Sequence, residues 1–173
     1  MSEALVLRHD AGGICTLTLN RPAQRNAINR ELFREFRAHI RDIEADGSEI
    51  GLIVVTGAGG HFCAGHDLKQ APHADALGWL RQEMLILERL TKLPQPVIAK
   101  VRGSCYTGGL EFALSADFIV CDASARFADT HGKWGLVPGW GLSQRLPRRV
   151  GQAKALEMML TCQPYTGEQA AAM

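Results

Sequence analysis

The chain alternates between short strand patterns and longer amphipathic helix patterns, and this order restricts the folds that it can adopt. Ile14–Leu19 alternates with period two and has one more apolar face, which predicts a strand. Residues 28–46 carry apolar side chains every three or four positions, which predicts an amphipathic helix. Residues 52–55 and Val97–Val101 are β-branched runs typical of buried parallel strands, with a helix from about Trp79 between them. The βαβα order predicts an α/β fold.

The second half continues the alternation. Residues 108–116 are predicted to be helical, Phe118–Cys121 to form a strand and residues 151–160 to be helical. Residues 127–145 hold four glycines and a proline, and a loop of this length is often functional. Thr166 and Gln169 have the spacing of a capping box, which predicts a helix that starts at about Gly167, just before the sequence stops. We therefore expect residues 1–173 to form a single domain that is incomplete at its C-terminal end.

Charge and composition exclude several classes of function. A length of 173 residues suits one core, and 46% hydrophobic with 21% charged residues is near the average for a globular protein. Nineteen basic against eighteen acidic residues leave a net charge of +1, which provides no electrostatic footprint for nucleic acid or an anionic membrane. Neither a signal peptide nor a run of eighteen apolar residues is present. We expect neither nucleic acid nor membrane as a partner.

The number and spacing of the cysteines indicate the cellular compartment of the protein. Five cysteines form an odd, widely spaced set without a C-x-x-C pair, namely Cys15, Cys63, Cys105, Cys121 and Cys162. Such a set favours a reducing, cytoplasmic location, with the thiols acting mostly as small buried hydrophobes. It contains no zinc or redox motif, so we predict no metal site.

Several short motifs occur in a characteristic order. HFCAGHDL at 61–68 and GSCYTGGLE at 103–111 each follow a predicted buried strand. They stand in register with LNRP at 19–22, RNA at 25–27, VVTG at 54–57, PVIA at 96–99, Phe127, PG at 138–139 and QRL at 144–146. In this order and spacing, over nearly the whole chain, the sequence resembles the crotonase, or enoyl-CoA hydratase/isomerase, superfamily. The resemblance implies a spiral of repeated ββα turns, a homotrimer or hexamer, an acyl-CoA thioester substrate, and no cofactor apart from the CoA of the substrate.

The resemblance also assigns the first candidate catalytic residues. His66 and Gly108 match the positions whose backbone N–H groups form the family's oxyanion hole. We expect the His66 side chain to lie in solvent or at the pocket edge, and direct catalysis by it is the alternative. Gly108 begins a predicted helix, where free N–H groups favour developing negative charge. Glu111 lies three residues later on the same helix face and is a candidate general base and acid, although a surface glutamate is the alternative from spacing alone.

His131 marks a departure from the family's pattern. The hydratases of the family carry a second glutamate in the loop after the next strand, and the register set by Phe127 places His131 at that position. An imidazole titrates near neutral pH, so His131 is a candidate to protonate the α-carbon or to hold water, and it could equally mark a changed reaction. Asp129, two residues earlier, is expected to orient His131 or a backbone group.

The family's pattern further implies where CoA and the acyl group bind. Contacts to CoA are expected to be largely main-chain, and the candidate substrate-binding residues are Arg25, Ala27, Ala64, His66, Asp67, Leu68, Lys69 and Gly108. Residues 70–79, Trp134, Val137 and Trp140 are expected to select the acyl group. The tryptophans suit a bulky or aromatic acyl chain, and they are equally compatible with a place in the core.

Together these features predict hydration of an α,β-unsaturated acyl-CoA. Double-bond isomerisation, decarboxylation and thioester hydrolysis are alternatives that keep the same fold. Complete members of the family continue beyond the position that matches Met173 with helices that pack on neighbouring subunits and cover the CoA site. We therefore expect a C-terminal helical region to be missing, and a truncated, non-catalytic binding domain is the alternative of a different class.

Overall fold

Two sheets form the framework of the computed structural model, which describes residues 3–70 and 76–173. The first sheet contains β1 (Val6–Ala11), β2 (Ile14–Leu19), β3 (Leu52–Gly57), β4 (Val97–Val101) and β6 (Phe118–Cys121), in the order β1-β2-β3-β4-β6. The second contains β5 (Ser104–Tyr106), β7 (Arg126–Ala128) and β8 (Tyr165–Thr166), in the order β5-β7-β8. β1 pairs antiparallel with β2 and β8 antiparallel with β7, and all the other pairs are parallel.

In the part of the chain that the structure describes, six α-helices connect or cover these strands. They are α1 (Arg30–Asp46), α2 (Ala76–Leu90), α3 (Gly108–Ala113), α4 (Leu142–Val150), α5 (Gln152–Thr161) and α6 (Gly167–Ala171). β4 pairs with β6 in the first sheet while β5 pairs with β7 in the second, so successive β–β–α units stack on each other. The structure thus confirms the predicted α/β fold and its spiral of ββα turns.

The sequence patterns explain the main elements. Asn29 caps α1 by accepting a hydrogen bond from the Leu32 backbone N–H at 2.9 Å, so the helix begins two residues later than predicted. The apolar stripe of α1 is buried, as expected, and so is the apolar face of β2. The capping box at α6 is also confirmed, because the Thr166 side chain accepts from Gln169 N–H and the Gln169 side chain accepts from Thr166 N–H.

The predicted loop over residues 127–145 is more structured than expected. It contains the end of β7, a short 3₁₀ helix at His131–Trp134 and the start of α4 at Leu142. β1, β5 and β8 were also missed by the sequence patterns, because strands of two or three residues show no period and β1, in which only Val6 is buried, has no alternating apolar face. The 3₁₀ helix and the start of α4 hold polar residues of the predicted loop at defined positions beside α3.

The helix α3 lies at the centre of the molecule, with all six of its residues buried. It packs tightly on the segment that follows β3, since a Cβ atom added to Gly109 would lie 2.3 Å from the carbonyl oxygen of Cys63. Phe112 of α3 packs edge-on against Phe36 of α1, with ring centroids 4.8 Å apart. Within the part of the chain that the structure describes, no helix combines the length and apolar character needed to cross a bilayer.

Candidate active site

A cavity of about 320 Å³ lies beside the beginning of α3. Six of the candidate catalytic and substrate-binding residues line it, namely Ala64, His66, Leu68, Gly108, Glu111 and His131. They come from three turns of the spiral: the segment after β3, the start of α3 and the 3₁₀ helix after β7. The fold therefore brings together residues that are far apart in the sequence.

The backbone N–H of His66 has no protein acceptor among the described residues. Ile28 N–H donates to the Gly65 carbonyl at 2.8 Å, and Asp67 N–H donates to the Ile28 carbonyl at 2.7 Å. In this parallel bridge the hydrogen-bonding groups of His66 itself point away from Ile28. The amide of His66 is therefore free to donate to a ligand.

Gly108 provides a second free amide close to the first. It is the first residue of α3, so its N–H has no partner within the helix, and none is found elsewhere in residues 3–70 and 76–173. Gly65 adopts a φ of +100°, and a Cβ atom added there would lie 3.2 Å from the Gly108 nitrogen. The two peptide segments thus run in contact, and their N–H groups suit an oxygen that acquires negative charge.

Glu111 is a buried carboxylate, 2% exposed, rather than the surface glutamate that spacing alone allowed. Its Oε1 atom accepts hydrogen bonds from the backbone N–H groups of Trp140 at 2.8 Å and Leu142 at 3.1 Å. Burial raises the pKa of Glu111, and these two N–H groups and the nearby His131 offset part of that rise. A carboxyl group with a raised pKa is suited to proton transfer.

His131 faces Glu111 with one ring nitrogen and Asp129 with the other. Its Nε2 atom lies 3.7 Å from Oε2 of Glu111, and its Nδ1 atom lies 2.6 Å from Oδ1 of Asp129. The backbone N–H of His131 donates to the same Asp129 oxygen at 3.1 Å. Asp129 is 1% exposed and therefore fixes the orientation of the imidazole, in agreement with the role expected for it.

The two segments expected to bind CoA lie side by side. Ala64 N–H donates to the Arg25 carbonyl at 2.9 Å, and Arg25 has a left-handed φ of 48° that turns the chain toward Ala27. The Asp67 side chain forms an ion pair with Arg21 at 2.9 Å, so it stabilises this arrangement. Arg25, Ala27, Asp67 and Lys69 do not line the cavity, and their contact with CoA stays a prediction.

The residues expected to select the acyl group lie partly in the core and partly at the rim of the cavity. Trp140 is 2% exposed and packs on Phe33 with ring centroids 5.2 Å apart, so it belongs to the core and to the cavity wall at once. Trp134 and Val137 lie at the rim and are 62% and 83% exposed. Of the segment 70–79, residues 71–75 lie outside the described residues, while Trp79 lines the cavity.

Two features of the site were missed by the sequence reasoning. One is the backbone N–H of Trp140, which no side-chain pattern reveals. The other is Glu83 of α2, which is 1% exposed and lies near His66. The sequence did contain an indication of Glu83, because this residue stands between Leu80 and Leu87 on the apolar stripe of the predicted helix. A charged residue is unusual on such a buried face and therefore indicates a specific role.

No group of three or more His, Cys, Asp or Glu side chains with the geometry to hold a metal ion is found within residues 3–70 and 76–173. All five cysteines are free thiols. Burial raises the pKa of Cys63 to about 12, so this buried thiol is protonated at neutral pH.

Comparison with known proteins gives consistent matches. The family model for enoyl-CoA hydratase/isomerase matches residues 9–173. Short-chain-enoyl-CoA hydratase of Clostridium acetobutylicum is 34% identical over 95% of this chain and 64% of its own length, and 1,2-epoxyphenylacetyl-CoA isomerase of Escherichia coli is 36% identical over 95% and 65%. The crystal structure of enoyl-CoA hydratase from Thermoplasma volcanium superimposes with a TM-score of 0.91 at 29% identity, over 98% of this chain and 69% of the other. The chain thus spans less than two thirds of the length of these two curated relatives.

Proposed function

The chain belongs to the enoyl-CoA hydratase/isomerase family, and on that basis we propose that it adds water across the double bond of an α,β-unsaturated acyl-CoA thioester. The thioester carbonyl oxygen accepts hydrogen bonds from the backbone N–H groups of His66 and Gly108. Both amides border the cavity and lack acceptors in the described part of the chain, which supports this role. Two preorganised donors stabilise the enolate oxygen as its charge develops.

Proton transfer is assigned to Glu111 and His131. The carboxylate of Glu111 takes a proton from water as the water oxygen bonds to the β-carbon, and the electron pair of the double bond moves toward the carbonyl oxygen. The enolate then collapses as the α-carbon takes a proton from Nε2 of the His131 imidazolium, which Asp129 stabilises. Return of the proton from Glu111 to His131, across the 3.7 Å gap between them, restores both groups. The net change is addition of one water.

One observation supports this proposal above the others. A buried carboxylate with a raised pKa faces an imidazole whose far nitrogen is held by a second buried carboxylate, in the wall of the same cavity. A glutamate that served only stability would gain nothing from this burial, because an ionised carboxylate is costly to desolvate. The arrangement therefore favours proton transfer as its role.

The test is incubation of the purified protein with crotonyl-CoA, followed by mass analysis of the CoA esters. Hydration gives an ester heavier by one water, and Glu111→Gln is expected to abolish its formation while CoA-ester binding persists. Glu49→Gln is the matched control, since Glu49 is an exposed glutamate outside the cavity. A Glu111→Gln protein that hydrates the ester at the rate of the unchanged protein would contradict the proposal.

Double-bond isomerisation is a second candidate, favoured by the histidine that stands where hydratases of the family carry their second glutamate. It requires a single group that removes a proton from one carbon and returns it to another, and Glu111 alone suffices for that. One relative is named 1,2-epoxyphenylacetyl-CoA isomerase, so isomerisation of a CoA ester occurs among the relatives of this chain. An isomerised ester keeps its mass, whereas a hydrated ester is heavier by one water, so mass analysis separates the two reactions.

The remaining expectations belong to the same proposal. The substrate carries CoA, and we propose that the reaction uses no further cofactor or metal. A homotrimer or hexamer is proposed from the family, and exposed apolar residues such as Phe118 and Leu160, at 62% and 80%, are compatible with subunit contacts. A cytoplasmic location is proposed from the five free cysteines. Light scattering at several protein concentrations tests the oligomeric state.

A further inference from the structure

A second buried carboxylate–histidine pair includes one residue of the cavity wall, His66. Glu83 of α2 is 1% exposed, and its Oε2 atom lies 3.8 Å from Nε2 of His66. In the described part of the chain, neither oxygen of Glu83 has a hydrogen-bond partner, and the same holds for Nε2 of His66 and the indole nitrogen of Trp140. Buried polar atoms without partners are rare in folded proteins, so this cluster calls for an explanation.

The side chains of His66 and Trp140 converge on this carboxylate. Burial raises the pKa of Glu83, and the approach of His66, the indole N–H of Trp140 and the charge of Arg30 offset part of that rise. The His66 ring lies against Trp79, with centroids 4.6 Å apart, and near Trp140 at 5.8 Å. Glu83 therefore faces the polar atoms of two rings that border the cavity.

The backbones of these same two residues build the candidate active site. The N–H of His66 is one of the two free amides beside the cavity, and the N–H of Trp140 donates to Glu111 at 2.8 Å. The Trp140 ring also packs on the residue that carries the second free amide, because a Cβ atom added to Gly108 would be 2.6 Å from Cζ3 of Trp140. One carboxylate thus faces the side chains of the residues whose backbones hold the oxyanion site and the base.

From this convergence we propose that Glu83 is a positioning residue for the reaction. It accepts hydrogen bonds from Nε2–H of His66 and Nε1–H of Trp140, and it thereby fixes the His66 amide and the backbone that anchors Glu111. The gap of 3.8 Å from His66 to Glu83 is longer than a hydrogen bond, and such contacts commonly tighten when substrate binds. A leucine at position 83 would avoid the free-energy cost of burying a carboxylate. The presence of Glu83 is therefore explained by function rather than by stability. The inference rests on the proposed function.

Three variants test this role. Glu83→Leu removes both acceptor oxygens, Glu83→Gln keeps one, and Ile86→Val is the matched control, because it removes one methyl group from a buried neighbour on the same helix. One readout is the absorbance shift of a bound arylacryloyl-CoA chromophore, which reports how strongly the oxyanion donors polarise the carbonyl. The other is the separation of kcat from KM in the turnover of crotonyl-CoA.

We expect Glu83→Leu to lower kcat about tenfold or more, with KM changed by less than about threefold, because displaced donors weaken transition-state binding more than ground-state binding. The absorbance shift of the bound chromophore becomes smaller. Glu83→Gln restores part of kcat and part of the absorbance shift, and Ile86→Val leaves kcat and the absorbance shift unchanged. In the ligand-free protein, the indole N–H proton resonance of Trp140 moves upfield in Glu83→Leu, because it no longer faces a carboxylate.

The outcomes separate this inference from the proposed function. If the wild-type protein neither binds nor polarises the chromophore, this result contradicts the proposed function and with it the role of Glu83. If the wild-type protein polarises the chromophore no more strongly than a folded Glu83→Leu variant does, this result overturns only the role of Glu83. An indole resonance of Trp140 that is identical in both proteins would also overturn it.

Discussion

Oε2 of Glu111 and Nε2 of His131 lie 3.7 Å apart in the wall of one cavity. Both side chains are buried, and the far side of the imidazole is held by Asp129 at 2.6 Å. A carboxylate and an oriented imidazole thus lie together, where the resemblance to the family predicts that hydratases carry two glutamates. A carboxylate that removes a proton from water and an imidazole that supplies one to carbon are the two groups that hydration requires.

His131→Ala is expected to lower the rate of hydration by about 10²- to 10⁴-fold, the usual contribution of a positioned acid or base. The α-carbon then loses its proton donor, while the thioester carbonyl still meets both amides. The ratio of hydrated to unchanged crotonyl-CoA over time measures the effect. His9→Ala is the control, because His9 is exposed on β1. Hydration at an undiminished rate in His131→Ala would remove His131 from the mechanism.

The pH dependence of kcat/KM is expected to show an acidic limb above the ordinary glutamate pKa of about 4.3. Glu111 acts as a base only when ionised, and burial raises its pKa, so activity falls as the pH drops through that raised value. Initial rates across the acid range, in buffers of constant ionic strength, measure the limb. A limb at or below the ordinary value would show that another group is the base.

Glu83→Leu is expected to raise the free energy of unfolding at mildly alkaline pH, on the order of 1 kcal/mol for each unit of pKa shift that it removes. The folded-state pKa of Glu83 lies above its unfolded value, so the unfolded chain ionises first as the pH rises. The stability of the unchanged protein therefore falls with rising pH through this group, whereas at acid pH both states are protonated and the difference disappears.

Urea denaturation at the two pH values tests this behaviour. Glu49→Gln, at an exposed site, should show no pH-dependent gain over the unchanged protein. A Glu83→Leu protein that is less stable than the unchanged protein at alkaline pH would mean that the carboxylate stabilises the fold, contrary to the role proposed for it.

Gly108→Ala is expected to destabilise the protein by about 1–3 kcal/mol, the range for overpacking a filled site. The added Cβ atom would lie 2.6 Å from the ring of Trp140, which is itself fixed against Phe33. Gly51→Ala is the matched control, since its nearest neighbour would be 3.7 Å away. Chemical denaturation compares the two, and equal stabilities would contradict the close packing of Trp140 on the oxyanion site.

The sequence predicted the larger elements because their signals are local. The apolar stripe of α1 and the alternating face of β2 follow directly from side-chain periodicity, and the capping box of α6 follows from two residue types. Short strands such as β5 and β8 carry no period, because they are held by pairing with β7 rather than by their own pattern.

The site was predictable where motif and backbone geometry coincide, and less so elsewhere. His66, Gly108, Glu111 and His131 follow from motif order, and the structure brings all four to one cavity. The anchor of Glu111 by Trp140 is a backbone contact across 29 residues, which no local pattern encodes. The convergence on Glu83 depends on how α2 packs against the spiral, a tertiary property that the sequence signals only as a charge on an apolar stripe.

The most direct test of the central claim is the fate of crotonyl-CoA in water labelled with heavy oxygen. We predict an ester that carries one labelled oxygen, formed by the unchanged protein and by Glu49→Gln but not by Glu111→Gln. An ester that stays unlabelled with the unchanged protein, in spite of demonstrated binding of the thioester, would contradict hydration as the reaction of this site.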